Sequence, residues 1–211
     1  MSLKALFSLL AVVVSLMAFV PYITGIVKGR LRPHVFSWVI WTLTTSIVFF
    51  AQMADGAGVG AWPIGFSAIL ALLIASLAYR HRGVVVVARS DWLFFGLALS
   101  ALPVWALTSN PMWAVIILTS VDMLGFAPTW RKTYLAPHSE SVVFFGLTAL
   151  RCLLIVLALE HYSIATALFP VMIGLAASVT LSLALWRRRV VPQATPRPSP
   201  TPHQPTQDAP L

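Results

Sequence analysis

Long apolar runs dominate this 211-residue chain and leave little room for anything except membrane-spanning helices. The hydrocarbon core of a bilayer is about 30 Å thick, and a helix needs about 20 apolar residues to cross it. Runs of about that length occupy 5–27, 35–54, 61–79, 92–108, 112–130, 142–159 and 164–186. They are uniformly apolar and lack the alternation typical of outer-membrane barrel strands, so we expect an all-α membrane protein with seven transmembrane helices.

Composition argues against a soluble protein. Apolar residues make up 59% of the chain and charged residues only 9%, which is too little charge to cover a soluble domain. The net charge of +8 sits in short loops between apolar runs, a pattern that suits an anionic lipid leaflet, so the bilayer and not a nucleic acid is the expected partner. Serine-hydrolase, zinc-protease and phosphate-loop motifs are missing from the sequence, and we expect no enzyme, no cofactor and no metal.

The positive-inside rule gives the orientation. Lys and Arg concentrate in the loops that face the cytoplasm. Twelve of the basic residues fall on one side of the seven runs, and only Lys4 falls on the other. We therefore expect an external N-terminus and a cytoplasmic C-terminus, in a plasma membrane or a bacterial inner membrane.

Two copies of one pattern indicate an internal repeat. The first run ends in Pro21 and a basic loop, and Pro33-His34-Val-Phe-Ser37 opens the next run. The fifth run ends in Pro128 and a basic loop, and Pro137-His138-Ser-Glu-Ser141 opens the sixth. A fourth helix that reverses the chain would make the two triplets parallel repeats. The expected units are a first repeat at 1–79, a connecting loop and linker helix at 80–111, a second repeat at 112–189 and a disordered Pro-rich cytoplasmic tail at 190–211.

The 3+1+3 layout, the external N-terminus and the proline with a basic loop after runs one and five resemble the PQ-loop and SWEET superfamily. The resemblance covers about 5–186 and is one of pattern, since the Pro-Gln positions read Pro21-Tyr22 and Pro128-Thr129 here. It implies a bundle that transports a small polar solute by alternating access between its two triplets. The alternative is a receptor or scaffold that uses the same bundle without transport. The solute and assembly into a homo-oligomer stay open.

Two charges of opposite sign lie deep inside neighbouring runs. Asp122 is eight residues before Trp130, and Arg151 is ten residues after Ser141, which places both about 12 to 15 Å from the same edge. Because a lone charge in hydrocarbon is costly, we expect these side chains to face the bundle interior and to pair, directly or through water. The pair could bind a substrate or relay protons, or it could only fix helix register. Ser15 stands six residues before Pro21, as Asp122 stands before Pro128, so it is a further cavity candidate.

Aromatic and proline residues complete the candidates. Trp38 and Trp41 lie early in the second run, where they could line a cavity and stack on a ligand or only anchor the interface. Prolines inside a helix kink it and give a bundle a place to bend. The candidate hinges form two pairs at matching places of the repeats, Pro21 with Pro128 and Pro63 with Pro170.

Overall fold

The computed structural model describes residues 2–29, 35–81, 89–135, 137–139 and 141–191. These residues form seven α-helices and two short 3-10 turns, and they contain no β-strand. The helices are α1 (Leu3–Val27), α2 (Val35–Ala54), α3 (Trp62–Arg80), α4 (Arg89–Thr108), α5 (Pro111–Leu135), α6 (Val142–Ala158) and α7 (Ile164–Val190). One 3-10 turn, Gly58–Ala61, leads directly into α3, and the other, Pro137–Ser139, lies between α5 and α6.

Each of the seven predicted runs lies in an α-helix except for the end residues Ala61 and Leu159, and five helical segments are long and apolar enough to cross a bilayer. The two shorter apolar stretches are Trp92–Thr108, which is part of α4, and Val142–Ala158, which is α6. The latter has 17 residues, so at 1.5 Å per residue it reaches about 26 Å, just short of the usual hydrocarbon thickness. The chain therefore has the make-up of an integral membrane protein, while spanning by α4 and α6 stays a prediction.

The predicted basic loop after the fifth run is helical instead. Arg131 and Lys132 belong to α5, which continues to Leu135. Cations in the last turns of a helix are favourable because they offset the negative end of the helix dipole. The tail from 192 onward lies outside the described residues, as does the segment 30–34 with the first Pro-His pair.

Many of the buried residues of the bundle are alanines. On α3 the buried alanines are Ala68, Ala71, Ala75 and Ala78, and the exposed large residues between them are Ile69, Leu72 and Leu73. This spacing of three and four residues places the alanines on one face of the helix. Small side chains allow membrane helices to approach closely, since lipid is as apolar as leucine and gives burial of large side chains no advantage.

Hydrogen bonds between connections define the two ends of the bundle. Lys4 Nζ, at the start of α1, donates to the Glu160 carbonyl at 3.4 Å, and Glu160 N donates to the Ala57 carbonyl at 3.1 Å. These contacts join the start of α1, the α2–α3 connection and the α6–α7 connection at what we call the Glu160 end. At the opposite end, Arg187 Nε donates to the Tyr134 carbonyl at 2.9 Å, which joins the last turn of α7 to the end of α5. We call this the Arg187 end.

Contacts between helices join both halves of the chain, and α1 packs most extensively on α6. Helix α3 packs against both α1 and α2, and α7 packs against both α5 and α6. Helix α2 also packs on α5. Helix α4 lies against α5 and α2. Six helices therefore surround the centre of the bundle, and α4 flanks them.

Candidate functional site

A central cavity of about 260 Å³ lies among α1, α2, α3, α5, α6 and α7. Within the described part of the chain, α4 supplies none of its lining. Most of the wall is apolar. The polar side chains that line it are Thr45, Ser67, Asp122, Thr129, Thr148 and Arg151.

Arg151 is held at the cavity wall by a hydrogen bond across the bundle. It lies near the middle of α6, and its Nη1 donates to Ser67 Oγ of α3 at 2.5 Å. Ser67 Oγ in turn donates to the Pro63 carbonyl, one turn earlier on α3, at 2.8 Å. The hydroxyl proton of Ser67 is thereby used, so Ser67 acts toward Arg151 only as an acceptor. This bond orients the guanidinium.

Asp122 faces the same cavity from the middle of α5. Both charged side chains therefore line the same cavity. Arg151 bonds to Ser67, and no direct ion pair or hydrogen bond to Asp122 occurs among the described residues, so pairing of the two charges through water stays a prediction. The rotation of α6 about its axis directs the guanidinium toward α3 and leaves the carboxylate beside the open volume.

Trp38 and Trp41 both line the cavity, as the sequence predicted they could. Trp38 is buried and stands edge-on to Trp41, with ring centroids 5.0 Å apart. Tyr22 lies on another side of Trp38, at a centroid distance of 5.3 Å. The cavity also has five phenylalanine neighbours, namely Phe19, Phe126, Phe144, Phe145 and Phe169. The two charged side chains therefore share the cavity with a largely aromatic wall.

Ser15 is buried, and its hydroxyl donates to the Ala11 carbonyl of its own helix at 2.8 Å. It is not among the residues that line the cavity, so its match in spacing with Asp122 does not extend to a shared position at the site.

The four candidate hinge prolines occupy different settings. Pro21 lies inside α1 with an exposed side chain, and its carbonyl accepts a hydrogen bond from Thr24 Oγ1 at 2.9 Å. Pro170 lies inside α7, is buried and lines the cavity. Pro63 stands in the first turn of α3, where a proline costs no hydrogen bond. Pro128 lies within α5, and its side chain is outside the described residues. Their role as hinges stays a prediction.

Sequence reasoning missed the hydroxyl residues of the site, although helical spacing could have found three of them. Thr148 is three residues before Arg151, Thr129 is seven after Asp122, and Thr45 is four after Trp41. Residues three, four or seven apart lie on one face of a helix, so each threonine shares a face with a residue already singled out. Ser67 lies four residues after the hinge candidate Pro63, but its bond to Arg151, on a distant helix, leaves no signal in the sequence.

Hydrogen bonds close the bundle at the Glu160 end. The Glu160 carboxylate accepts from Val59 N at 3.3 Å, and the Val59 carbonyl accepts from Ser8 Oγ at 2.7 Å. Asp55 accepts from the Ser163 hydroxyl, which also caps α7. Beneath these contacts, three buried side chains form a small apolar plug, namely Ala57, Ala61 and Leu159. The start of α1, the α2–α3 connection and the α6–α7 connection are thus tied together at this end.

Comparisons of the chain with protein-family models, with curated proteins and with solved structures find no match.

Proposed function

We propose that this chain is a membrane transporter that moves a small polar solute through the central cavity. The observation that carries the proposal is the cavity itself, which has three lining helices from each half of the chain and two charged side chains in its wall. Charged residues inside membrane bundles usually mark a path for a polar solute or ion, because they are too costly to keep there without use.

The helix contacts support an arrangement of two parallel triplets joined by α4, as in the PQ-loop and SWEET superfamily. Exchanging the halves turns α1, α2 and α3 into α5, α6 and α7. If the halves are equivalent, a contact of α1 with α6 requires a matching contact of α5 with α2. Both contacts occur. Helices α3 and α7 both begin at the Glu160 end, and α2 and α6 both end there. Matching directions are what a two-fold axis along the membrane normal requires.

Charge supports an orientation with the Arg187 end in the cytoplasm. Arg131 and the Arg187–Arg189 cluster lie near this end, whereas the Glu160 end carries Asp55 and Glu160 beside Lys4. Cytoplasmic loops are enriched in Lys and Arg. In this orientation the Glu160 end faces the outside.

An uptake assay with a cavity-filling variant tests the proposal. Purified protein in liposomes is offered a panel of labelled sugars, amino acids and organic acids. Thr148→Trp places an indole into the cavity wall and should abolish uptake of any solute that the unmodified protein carries. Ser120→Trp puts the same group on an exposed position of α5 and should leave uptake unchanged.

Equal uptake by both variants would show that the solute does not pass through this cavity. Failure of the unmodified protein to move any of the solutes would favour the alternative of a receptor or scaffold that uses the same bundle.

A further inference from the structure

We propose that the cavity takes a small zwitterion, with a carboxylate at Arg151, an ammonium group at Asp122 and an apolar body against the aromatic wall. This inference rests on the proposed transport function and names the substrate class of the same site.

The two charges are the first step of the argument. Asp122 and Arg151 line one cavity, and no direct ion pair or hydrogen bond joins them among the described residues. A neutral solute would leave both side chains without a counter-charge. A solute with a single charge would supply a counter-charge to only one of the two side chains. A zwitterion supplies the opposite sign to each in a single molecule. Since unpaired charge at this depth is costly, the zwitterion is the class that gains most from entering.

The geometry at Arg151 fits a carboxylate. A guanidinium has five N–H donors, and the Ser67 oxygen uses one of them. The planar fork of the remaining donors matches the two oxygens of a carboxylate. Because Ser67 donates its own proton to the Pro63 carbonyl, it positions Arg151 without competing for the anion. Ser67 is therefore a positioning residue of this site.

The wall and the volume define the rest of the solute. Aromatic faces attract an ammonium group and also accept an apolar body, so Trp38, Trp41 and Phe126 suit both parts of such a molecule. The cavity of about 260 Å³ equals the volume of about nine water molecules at roughly 30 Å³ each, below the range for drug-sized ligands. The solute is thus a single small molecule and not a peptide.

Four probes with one shared ring test the charge requirement on the unmodified protein in nanodiscs. Phenylalanine carries both charges, 3-phenylpropionate only the carboxylate, phenethylamine only the ammonium group, and 2-phenylethanol neither. We expect phenylalanine to bind at least about tenfold more tightly than either singly charged probe, and 2-phenylethanol to bind most weakly. Equal binding of phenylalanine and 3-phenylpropionate, or tighter binding of 2-phenylethanol, would overturn the proposal. Because this comparison needs no substitution, it decides the question even if a variant fails to fold.

Two conservative variants then assign each charge to its residue. Asp122→Asn should lower the affinity for phenylalanine to that for 3-phenylpropionate and leave 3-phenylpropionate unchanged. Arg151→Gln should lower the affinity for phenylalanine to that for phenethylamine and leave the affinity for phenethylamine unchanged. Ser120→Ala, on the exposed side of α5, is the matched control and should bind all four probes as the unmodified protein does. A loss of affinity for both singly charged probes in both variants would contradict the assignment.

The outcomes separate this inference from the proposed function. Uptake of labelled glucose that Thr148→Trp blocks, without binding of phenylalanine, would refute the zwitterion and keep the transporter. Charge-dependent binding of phenylalanine, without uptake of any solute, would keep the zwitterion site and refute transport.

Discussion

Replacing Gly60 with alanine is expected to destabilise the Glu160 end of the bundle. A Cβ atom at Gly60 would lie 2.7 Å from Leu159 Cα and 2.8 Å from Leu159 N, where ordinary contact is 3.4–4 Å. The obstructing atoms are backbone, so no side chain can rotate away. The α6–α7 connection must move instead, and this connection is held by the bond from Glu160 N to the Ala57 carbonyl at 3.1 Å.

The magnitude follows from three terms. Overpacking costs about 1–3 kcal/mol, and weakening one hydrogen bond costs about 0.5–1.5 kcal/mol. Alanine is intrinsically better than glycine in a helix by about 0.5–1 kcal/mol, which offsets part of the loss. The expected net loss is about 2 kcal/mol in the free energy of unfolding, which corresponds to a fall in Tm of about 4–8 °C for a chain of this size.

The single cysteine of the chain provides the assay. Cys152 is 2% exposed, so a maleimide dye that fluoresces on reacting with thiols reports unfolding as the purified protein is heated in detergent. Gly96→Ala is the matched control, because a Cβ there has nothing within 4 Å, and it should leave the Tm unchanged or raise it slightly. If Gly60→Ala melts at the same temperature as Gly96→Ala, the close approach of Gly60 to the Leu159 backbone does not affect the free energy of unfolding, and the prediction is wrong.

Three further predictions concern other contacts. Trp130→Phe removes the bond from Trp130 Nε1 to Thr180 Oγ1, 3.0 Å long, and should cost about 0.5–1.5 kcal/mol in the same melting assay, whereas the exposed Trp186→Phe should cost little. Ser67→Ala removes the acceptor that orients Arg151 and should weaken binding of 3-phenylpropionate several-fold without affecting phenethylamine; equal losses for both probes would point to a general disturbance of the cavity. A phosphatase and a fluorescent protein fused in turn after Arg189 should report a cytoplasmic C-terminus, and phosphatase activity outside the membrane would contradict the orientation.

Helix positions could be predicted from the sequence because apolar length alone decides which segments suit a bilayer. The end of α5 could not. Arg131 and Lys132 have the composition of a loop, yet the helix continues to Leu135. Buried Thr133 and the hydrogen bond of Trp130 hold this last part of α5 to the bundle, so tertiary contacts override the local signal.

The sequence predicts the depth of the site residues in the membrane but not the direction in which their side chains point. Depth along a helix follows from counting residues, which is how Asp122 and Arg151 were found. Rotation about the helix axis depends on packing against other helices, and it directs Arg151 to Ser67 and places Ser15 away from the cavity lining. Counting residues from a proline gives the depth of a side chain along the helix. It carries no information on the rotation of the helix about its axis.

The position of α4 has a consequence for how this chain changes over evolutionary time. Helix α4 rests on α5 and α2 but lines no part of the described cavity, so selection for a particular solute does not act on it directly. The exposed positions of α4 need only present an apolar surface to lipid. Any large aliphatic residue can therefore replace exposed Leu93 and Leu102. Fully buried Ala98 and Ala101 have no such freedom, because a larger side chain would push the helix away from its neighbours. Among homologues, α4 would therefore drift fastest on its outer face and keep its two small residues.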